Sequence, residues 1–438
     1  MEIEEKCRPR HPNGGRNSCQ GFLVDVLYSM PLRALRFLRD CTECLLRSSL
    51  ARMFALLKST PLGRRGRLTT AHGAIETPFF MPVGTAGAMK GITFDHLLSL
   101  GTQVLLCNTY HLHLQPGEEI VAGAGGLHPF VGWEKPILTD SGGYQVYSLR
   151  TISAITEDGV QFRSHVNGDL HFIGPKESIE IQWKLGADII MCFDECPPST
   201  APRAAIEAAV DRTIRWAKVC KETHLKLAEE NQRVILSGDE GSTRYGKRDG
   251  SPLDSARGDT SSPYQHTPLL FGIVQGGLHQ DLREKCAREL ISIGFDGYAI
   301  GGLAVGESPD EMFAVLSVVC PLLPEDQPRY LMGVGEISQM KAAIAKGIDM
   351  FDCVLPMRVA RHGQVLLSDG SSINIENSAY RTAHVPIDAD SPSSLSRTHF
   401  RSYLHHLFKS RERLAETLAQ LQNLGVTLKA IRELREKL

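Results

Sequence analysis

Short apolar runs that end in polar or glycine residues recur along this chain, and most are followed by an amphipathic stretch. Such short runs are typical of buried strands, and a period near 3.6 is typical of helices. The pattern predicts eight strands, at Phe79–Pro82, Gln103–Cys107, Ile137–Thr139, Asp188–Phe193, Leu269–Val274, Gly297–Ile300, Tyr330–Gly333 and Met350–Val354. Helices are predicted at Phe94–Leu100, Ala204–Glu229, Gln280–Ile293, Pro309–Val319 and Ile337–Lys346.

Strands that alternate with helices in this way predict an α/β fold, a (β/α)8 TIM barrel. An open doubly wound sheet is the main alternative, but it usually carries a glycine-rich phosphate turn after its first strand. The corresponding segment here, PVGTAG, matches that turn poorly. Functional residues of a barrel gather at the carboxyl ends of its strands. Seven of the predicted strands end in suitable segments: CNTYH, TDSGGY, FDEC, VQGG, GGLAVGE, GVG and DCVLP.

Two segments differ in composition from this core. Residues 231–266 are rich in Gly, Ser, Asp and Arg, so we expect a disordered surface insertion there. Residues 1–52 are either a basic helical extension or lie before a true start at Met53. We therefore expect a barrel over 53–378 and a C-terminal helical subdomain over 379–438.

The overall charge constrains any nucleic-acid function. The chain has 438 residues, of which 42% are hydrophobic, and a net charge of −2, so RNA binding would need local basic patches. Residues 1–66 carry a surplus of six positive charges, and residues 393–438 a surplus of five. Each patch has the simpler interpretation of a solvated helix face.

The cysteines indicate a reducing compartment. Eleven of them are scattered without the spacing of a disulfide framework, and no apolar stretch approaches the length of a membrane span. We therefore expect a cytoplasmic protein. Cys41 and Cys44 form a CxxC pair, but without a second pair at metal spacing it does not predict a zinc site.

Two aspartates are the main candidates for chemistry. Asp140, in ILTDSGGYQV, and Asp352, in GIDMFDCVLP, each stand where an apolar strand ends. Two carboxyl groups at strand ends can together break a glycosidic bond. The alternative is that each aspartate only caps a turn.

Eight motifs extend the argument. From Met53 onward the chain resembles the tRNA-guanine transglycosylases, also called queuine tRNA-ribosyltransferases. The resemblance implies a (β/α)8 barrel that replaces the wobble guanine of certain tRNAs with a 7-deazaguanine base. The motifs are FMPVGTAGAMKG, CNTYHL, LTDSGGYQVYSL, ADIIMCFDEC, GIVQGG, YAIGGLAVGE, YLMGVG and GIDMFDCVLP.

The resemblance also implies roles for individual residues. Base exchange that keeps the ribose configuration is explained by two inversions through a covalent glycosyl-enzyme. By similarity Asp352 is the nucleophile and Asp140 the proton acceptor. Asp194 would accept hydrogen bonds from the guanine edge. Gln275 and the Gly302 backbone would be donors, Tyr144 and Met332 would stack on the base, and Glu307 would position the peptide link at Leu303. The full base-binding set is Ser141, Gly142, Gly143, Tyr144, Asp194, Gln275, Gly302, Leu303, Glu307 and Met332.

Two further positions bear on which base is accepted. Cys196 and Val305 resemble the bulkier residues of bacterial members that use the small precursor preQ1, whereas queuine-using members have glycine in place of this valine. We therefore expect preQ1 as the substrate base.

Two segments resemble those that family members place against the anticodon loop. Met357 and Val359 depart from the usual residues, which puts base-specific contacts there in doubt, while Arg358 and Arg361 keep the electrostatic part. The segments comprise Gly333, Val334, Gly335, Glu336, Ile337, Ser338 and Gln339, and then Met357, Arg358, Val359, Ala360 and Arg361.

The C-terminal segment departs from the family at its structural zinc site. Ser391, Ser393, Ser396 and Gln422 occupy the positions of three cysteines and one histidine. Serine is a poor zinc ligand, so we expect no metal and no other cofactor. The alternative is a substitute site built from Asp388, Asp390, His399, His405 or His406.

Three functions remain open at this point. The favoured one is an active bacterial-type enzyme that acts on tRNA as a homodimer, by resemblance. A non-catalytic tRNA-binding partner subunit is disfavoured because both aspartates are retained. An archaeal-type exchanger is disfavoured because no RNA-binding domain of that kind follows the barrel.

Overall fold

The computed structural model describes residues 53–148, 153–198, 200–238 and 266–438. Its strands are β1 (Phe54–Thr60), β2 (Gly63–Thr70), β3 (Gly73–Thr77), β4 (Phe79–Met81), β5 (Leu105–Cys107), β6 (Ile137–Thr139), β7 (Ser153–Ile155), β8 (Val160–Arg163), β9 (Leu170–Ile173), β10 (Ile189–Met191), β11 (Leu269–Val274), β12 (Gly297–Ile300), β13 (Arg329–Leu331), β14 (Met350–Asp352), β15 (Gln364–Leu366) and β16 (Ser372–Asn374).

The α-helices are α1 (Phe94–Ser99), α2 (Thr109–Leu114), α3 (Glu118–Gly123), α4 (Leu127–Val131), α5 (Gly143–Ser148), α6 (Pro175–Leu185), α7 (Arg203–Gly238), α8 (Gln280–Ile293), α9 (Pro309–Val319), α10 (Ile337–Ala345), α11 (Leu355–Arg361), α12 (Ser394–Thr398), α13 (Arg401–Lys409) and α14 (Arg413–Lys437). A 3-10 turn occupies Ser378–Tyr380. Among the described residues, every helix is too short or too polar to cross a bilayer.

The eight predicted strands form one parallel sheet in the order β4-β14-β13-β12-β11-β10-β6-β5. The two outer strands meet where Val83 pairs with Leu106 in parallel and the Leu106 N–H donates to the Pro82 carbonyl at 3.1 Å. The sheet therefore closes on itself, and the predicted (β/α)8 barrel is confirmed.

Most predicted helices are also present. Those at Gln280–Ile293 and Pro309–Val319 agree with the prediction at both ends. Helix α7 continues to Gly238, so residues 231–238 are helical where an irregular insertion was expected. Asn231 in this stretch is buried. Residues 239–265 of the insertion and residues 1–52 lie outside the described residues.

An antiparallel sheet of β1, β2 and β3, which we did not predict, covers one end of the barrel. Phe54, Leu68 and Ile75 from this sheet share a core with side chains inside the barrel, such as Phe271 and Met350. Because β3 leads directly into β4, the sheet covers the amino ends of the barrel strands. The carboxyl ends are left for the candidate site.

The predicted C-terminal helices are part of the same unit, Phe54–Leu438, as the barrel. Leu421, Leu424 and Leu428 of α14 belong to the main hydrophobic core. The Arg435 guanidinium donates to the Pro78 carbonyl at 3.0 Å, beside the first barrel strand. A smaller core cluster, which includes Val365, Leu404 and Leu418, has members on both sides of residue 379.

Candidate active site

Five of the predicted site residues stand where barrel strands end. Asp140 directly follows β6, Asp194 lies three residues beyond β10, Gln275 directly follows β11, Gly302 lies two residues beyond β12, and Asp352 is the last residue of β14. The parallel strands of a barrel all end at one rim. The fold therefore brings these residues, far apart in sequence, to the same end of the molecule.

The Asp140 carboxylate is buried and held by three donors. Its Oδ1 accepts from the Thr109 backbone N–H at 2.8 Å, and its Oδ2 accepts from the Asn108 amide and, at 2.8 Å, from the Gln145 amide. Burial raises the pKa of Asp140 to about 6, with a smaller contribution from the negative charge of Asp352, although the three hydrogen bonds act in the opposite direction. Such a group can release and accept a proton near neutral pH.

The Asp352 carboxylate is held from one side. The Tyr330 hydroxyl donates to its Oδ1 at 2.6 Å and the Gly333 N–H donates to the same oxygen at 2.8 Å. Among the described residues no side chain donates to Oδ2. Burial raises the pKa of Asp352 above its usual value, and the two hydrogen bonds oppose that shift. The carboxylate thus has a fixed orientation and one oxygen that is available to react.

Asp194 forms a second buried acceptor at the rim. The Gln275 amide donates to its Oδ2 at 2.7 Å and the Ser141 hydroxyl to its Oδ1 at 3.2 Å. Burial raises the pKa of Asp194 to about 6. A Cβ added at Gly143 would lie 2.6 Å from the Asp194 carbonyl oxygen, so the chain needs glycine there. Ser141, Gly143, Asp194 and Gln275 are therefore neighbours, as the predicted base-binding set requires.

Glu307 binds the backbone on the other side of the pocket rim. Its carboxylate accepts from the N–H groups of Ala304 and Val305, the second at 3.1 Å. In a trans peptide the carbonyl points away from the N–H of the next residue. Glu307 therefore fixes the direction of the Leu303 carbonyl.

The remaining predicted pocket residues differ in exposure. Leu303 and Cys196 are buried, Met332 and Val305 are half-buried, and Tyr144 is 53% exposed. Gly142, with φ +81°, takes the turn between Ser141 and α5. The exposed ring of Tyr144 is free to contact a planar group at the rim.

The two segments expected to contact RNA lie near this rim. Gly333–Glu336 follow β13, and Ile337 to Gln339 begin α10, whereas Met357–Arg361 lie in α11. The side chains of Val334, Met357 and Ala360 are buried, so they are not available to RNA. Arg358 is exposed and lines a surface cavity of about 320 Å³, while the Arg361 guanidinium donates to the Gln420 side chain at 3.1 Å.

Gly333 was predicted only as an RNA contact, and we did not predict the other residues that hold the two aspartates. Asn108 and Thr109 follow β5 in the segment CNTYH, and polar residues directly after a buried strand were the signal that could have singled them out. Gln145 lies on the first turn of α5. Tyr330 is fully buried within β13, and nothing in its local sequence marks its hydroxyl as a partner of Asp352.

The four positions at which the resemblance implies zinc ligands carry other side chains. Ser391, Ser393, Ser396 and Gln422 are all buried, and the Gln422 amide nitrogen donates to the Asp388 carboxylate at 2.7 Å. The Ser396 hydroxyl and the Gln422 amide oxygen have no hydrogen-bond partner among the described residues. Zinc in structural sites is bound by thiolates and imidazoles, so hydroxyl and amide groups do not fit it.

The suggested substitute zinc site is not assembled either. His405 Nδ1 lies 2.8 Å from the Ile375 carbonyl and His399 Nδ1 lies 2.8 Å from the Leu395 carbonyl. In both rings the Nδ1 atom is thus paired with a backbone oxygen, and a metal could be bound only through Nε2. Within the described residues, the candidate acids and histidines of this segment do not form a group of three converging ligands.

One such group does exist at the amino ends of the strands. His72 Nδ1 and His128 Nε2 lie 2.9 Å and 3.1 Å from the two carboxylate oxygens of Asp188. The two imidazole rings are stacked, with centroids 3.4 Å apart and planes 13° from parallel. A metal ion lies in the plane of each imidazole that binds it, and one ion cannot lie in two stacked planes. The group is therefore a carboxylate that links two histidines.

The chain is similar to known proteins along most of its length. A family model described as "Queuine tRNA-ribosyltransferase" matches residues 59–438. Queuine tRNA-ribosyltransferases are similar along most of their length: that of Halothermothrix orenii is 43% identical over 372 residues, covering 85% of this chain and 89% of that protein. That of Solidesulfovibrio magneticus is 46% identical over 361 residues, covering 82% and 87%. That of Nostoc sp. is 45% identical over 373 residues, covering 85% and 89%.

Proposed function

The chain belongs to the queuine tRNA-ribosyltransferase family, and on this premise we propose that it replaces the wobble guanine of tRNA with preQ1 through a covalent glycosyl-enzyme. It is a tRNA-guanine transglycosylase that acts in queuosine modification of tRNA. The observation that carries the proposed mechanism is the pair of carboxyl groups, Asp140 and Asp352, at one rim of the barrel. The pKa of Asp140 is raised to about 6, and one oxygen of Asp352 has no side-chain donor in the described part of the chain.

In the first step, Oδ2 of Asp352 attacks C1′ of the ribose, and the bond from C1′ to N9 of guanine breaks. The electron pair of that bond leaves with the guanine, which takes a proton from Asp140. An ester between Asp352 and the ribose results, and the tRNA strand stays intact. The raised pKa of Asp140 supports this role, because a carboxyl group with its ordinary pKa would rarely hold a proton at neutral pH.

In the second step, preQ1 loses its N9 proton to the Asp140 carboxylate, and N9 attacks C1′. The ester bond breaks, and its electron pair returns to Asp352. Two inversions restore the original configuration at C1′. Asp140 again carries the proton, so the enzyme is ready for another tRNA.

Recognition of the base is assigned to the second buried acceptor and its neighbours. The Asp194 carboxylate would accept from N1–H and the amino group of the purine, while Gln275 and the Gly302 N–H would donate to its carbonyl. Tyr144 and Met332 would stack on its faces. A base cannot be read in this way inside a stacked helix, so the wobble nucleotide must turn outward into the pocket.

The choice of preQ1 rests on the rim beside Val305. The side chain of Val305 takes space there, and the Glu307 carboxylate fixes the Leu303 carbonyl, which can accept from the aminomethyl group of preQ1. The bulky cyclopentenediol of queuine would need room that valine occupies. A Val305→Gly variant that gained no queuine exchange would contradict this assignment.

Several properties of the whole protein belong to the same proposal. We infer that tRNA phosphates meet the exposed Arg358, that the enzyme works as a homodimer, and that it needs no zinc. A cytoplasmic location is supported by the cysteines, because the described ones are all free thiols. Sedimentation that showed only monomers at working concentration would contradict the homodimer.

The deciding experiment measures release of labelled guanine from a wobble-guanine tRNA after preQ1 is added. The natural chain should release guanine, and the Asp352→Asn variant should release none and form no covalent complex with tRNA. Asp310→Asn, at an exposed helix start, is the matched control and should act like the natural chain. No release by correctly folded natural protein would favour the non-catalytic partner subunit.

A further inference from the structure

Arg283, on α8, is fully buried, and its guanidinium partners among the described residues are all backbone oxygens. Its Nε donates to Gly277 O at 2.8 Å, its Nη1 to Val274 O and Gly301 O at 2.7 Å each, and its Nη2 to Gly302 O at 3.2 Å. In the described part of the chain, no carboxylate lies within ion-pair distance of it. Burial lowers the pKa of Arg283 to about 10, which still leaves it charged at neutral pH.

These four acceptors belong to two neighbouring strand ends. Val274 and Gly277 lie at the end of β11, and Gly301 and Gly302 follow β12. Gln275 packs against the loop after β12: a Cβ added at Gly301 would be 2.7 Å from the amide nitrogen of Gln275. One guanidinium therefore ties together the two loops that carry the proposed donors to the base.

The hydrogen bonds from Arg283 fix the orientation of the peptide group that joins Gly301 to Gly302. It is trans, so its carbonyl and its N–H point in opposite directions. Because the Gly301 carbonyl is bound to Arg283, the Gly302 N–H points away from the guanidinium. No backbone carbonyl in the described ranges accepts a hydrogen bond from that N–H, which faces the buried Cys196 thiol.

We propose that Arg283 is a positioning residue for base recognition: by binding the Gly301 and Gly302 carbonyls, it directs the Gly302 N–H toward the carbonyl of the bound base. The inference rests on the proposed base-binding role of Gly302. A buried charge is a costly way to hold a loop, and neutral side chains could fill the same volume. Five N–H donors in a rigid plane are what four carbonyls from two loops require, and among side chains only arginine supplies them.

Arg283→Lys tests the inference because it keeps the charge and most of the volume but removes the planar fork. We expect the KM for the free base in guanine exchange to rise about tenfold, which is the effect of misplacing one hydrogen-bond donor. The KM for tRNA and the kcat should change by less than about twofold. Arg288→Lys, whose side chain is 66% exposed on the same helix, is the matched control and should change none of these values.

The outcomes separate the inference from the proposed function. A folded Arg283→Lys variant with an unchanged KM for the base overturns the inference and leaves the proposed function intact. A natural chain that exchanges no base overturns both. Arg283→Met provides a second variant, with the same expected rise in the KM for the base. If neither variant folds, Arg283 serves barrel stability and the positioning role is overturned.

Discussion

The Asn108 side chain donates a hydrogen bond to the carboxylate of Asp140, although the two residues lie on neighbouring strand ends and 32 positions apart in sequence. The hydrogen bond favours the ionised form of the acid, whereas burial favours the protonated form. The balance of these two effects puts the pKa of Asp140 at about 6. The neighbouring strand thus sets the pH at which this carboxyl group changes its proton.

Replacement of Asn108 should move the pH dependence of base exchange. Asn108→Ala removes one donor to the ionised carboxylate, so the pKa of Asp140 should rise by about one unit. The second step, in which preQ1 reacts, needs the ionised form of Asp140. The acidic limb of the pH profile of kcat/KM for preQ1 should therefore move to higher pH. Exchange rates measured from pH 5 to 9 test this. Asn167→Ala, which breaks a similar but exposed contact with Asp169, should leave the profile unchanged.

The short distance between Gly143 and Asp194 predicts that a larger residue at position 143 weakens binding of the base. A Cβ at position 143 would lie 2.6 Å from the Asp194 carbonyl, so Gly143→Ala must displace the acceptor for the base. We expect the KM for the base to rise at least tenfold and the free energy of unfolding to fall by about 1–3 kcal/mol. Gly123→Ala, where a Cβ has nothing within 4 Å, is the control. Equal KM values in the two variants would contradict the prediction.

The barrel strands and the two aspartates could be predicted because their signals are local. An apolar run followed directly by Asp140 or Asp352 marks a buried strand that ends at the functional rim. The covering sheet could not be predicted in this way. Arg64 in β2 is buried because it pairs with Asp349 at 3.0 Å, and that partner is 285 positions away.

The same limit applies to the supports of the site. Tyr330 and Arg283 are recognisable only once the strands and helices are packed. In sequence, Tyr330 is one aromatic residue in an apolar run, and Arg283 is one charge on an amphipathic helix. The prediction of an irregular insertion was wrong at its start because it relied on local composition. Helix α7 continues for eight residues into a segment whose composition favours disorder.

The buried Asp188 should matter for stability and not for base exchange. Burial raises its pKa, but the nearby His128 ring, at 3.1 Å, and hydrogen bonds from the Ile137 N–H and His72 lower it far below the usual value. A depressed pKa in the folded state stabilises the protein above the unfolded value, near pH 4, and this contribution is lost as the pH falls further. Asp188→Asn should therefore lower the free energy of unfolding at pH 7 by about 2–3 kcal/mol.

Thermal unfolding between pH 2 and 7 checks this, and the Tm difference from the natural chain should shrink toward acid pH. Asp211→Asn breaks an exposed contact with Lys285 and should change the Tm little, since surface pairs contribute little. A KM for the base that changed in Asp188→Asn would contradict the separation between this cluster and the site.

Metal removal should leave the stability of this protein unchanged. The Gln422 amide donates to the Asp388 carboxylate at 2.7 Å and to the Leu366 carbonyl at 2.8 Å. One amide thus connects α14 both to Asp388 and to β15. EDTA should not change the Tm, and metal analysis should find far less than one zinc per chain. Stoichiometric zinc, together with a Tm that falls on chelation, would contradict this.

The hydrogen bonds predict that stability depends on the amide instead of a metal. Gln422→Leu would leave the buried Asp388 carboxylate with one donor fewer, so the free energy of unfolding should fall by about 1.5–3 kcal/mol. Gln364→Leu, at an exposed position, is the matched control and should have little effect. A chain with Ser391→Cys, Ser393→Cys, Ser396→Cys and Gln422→His should in turn gain a Tm that rises with zinc and falls with EDTA, because thiolates and imidazole are the donors that zinc prefers.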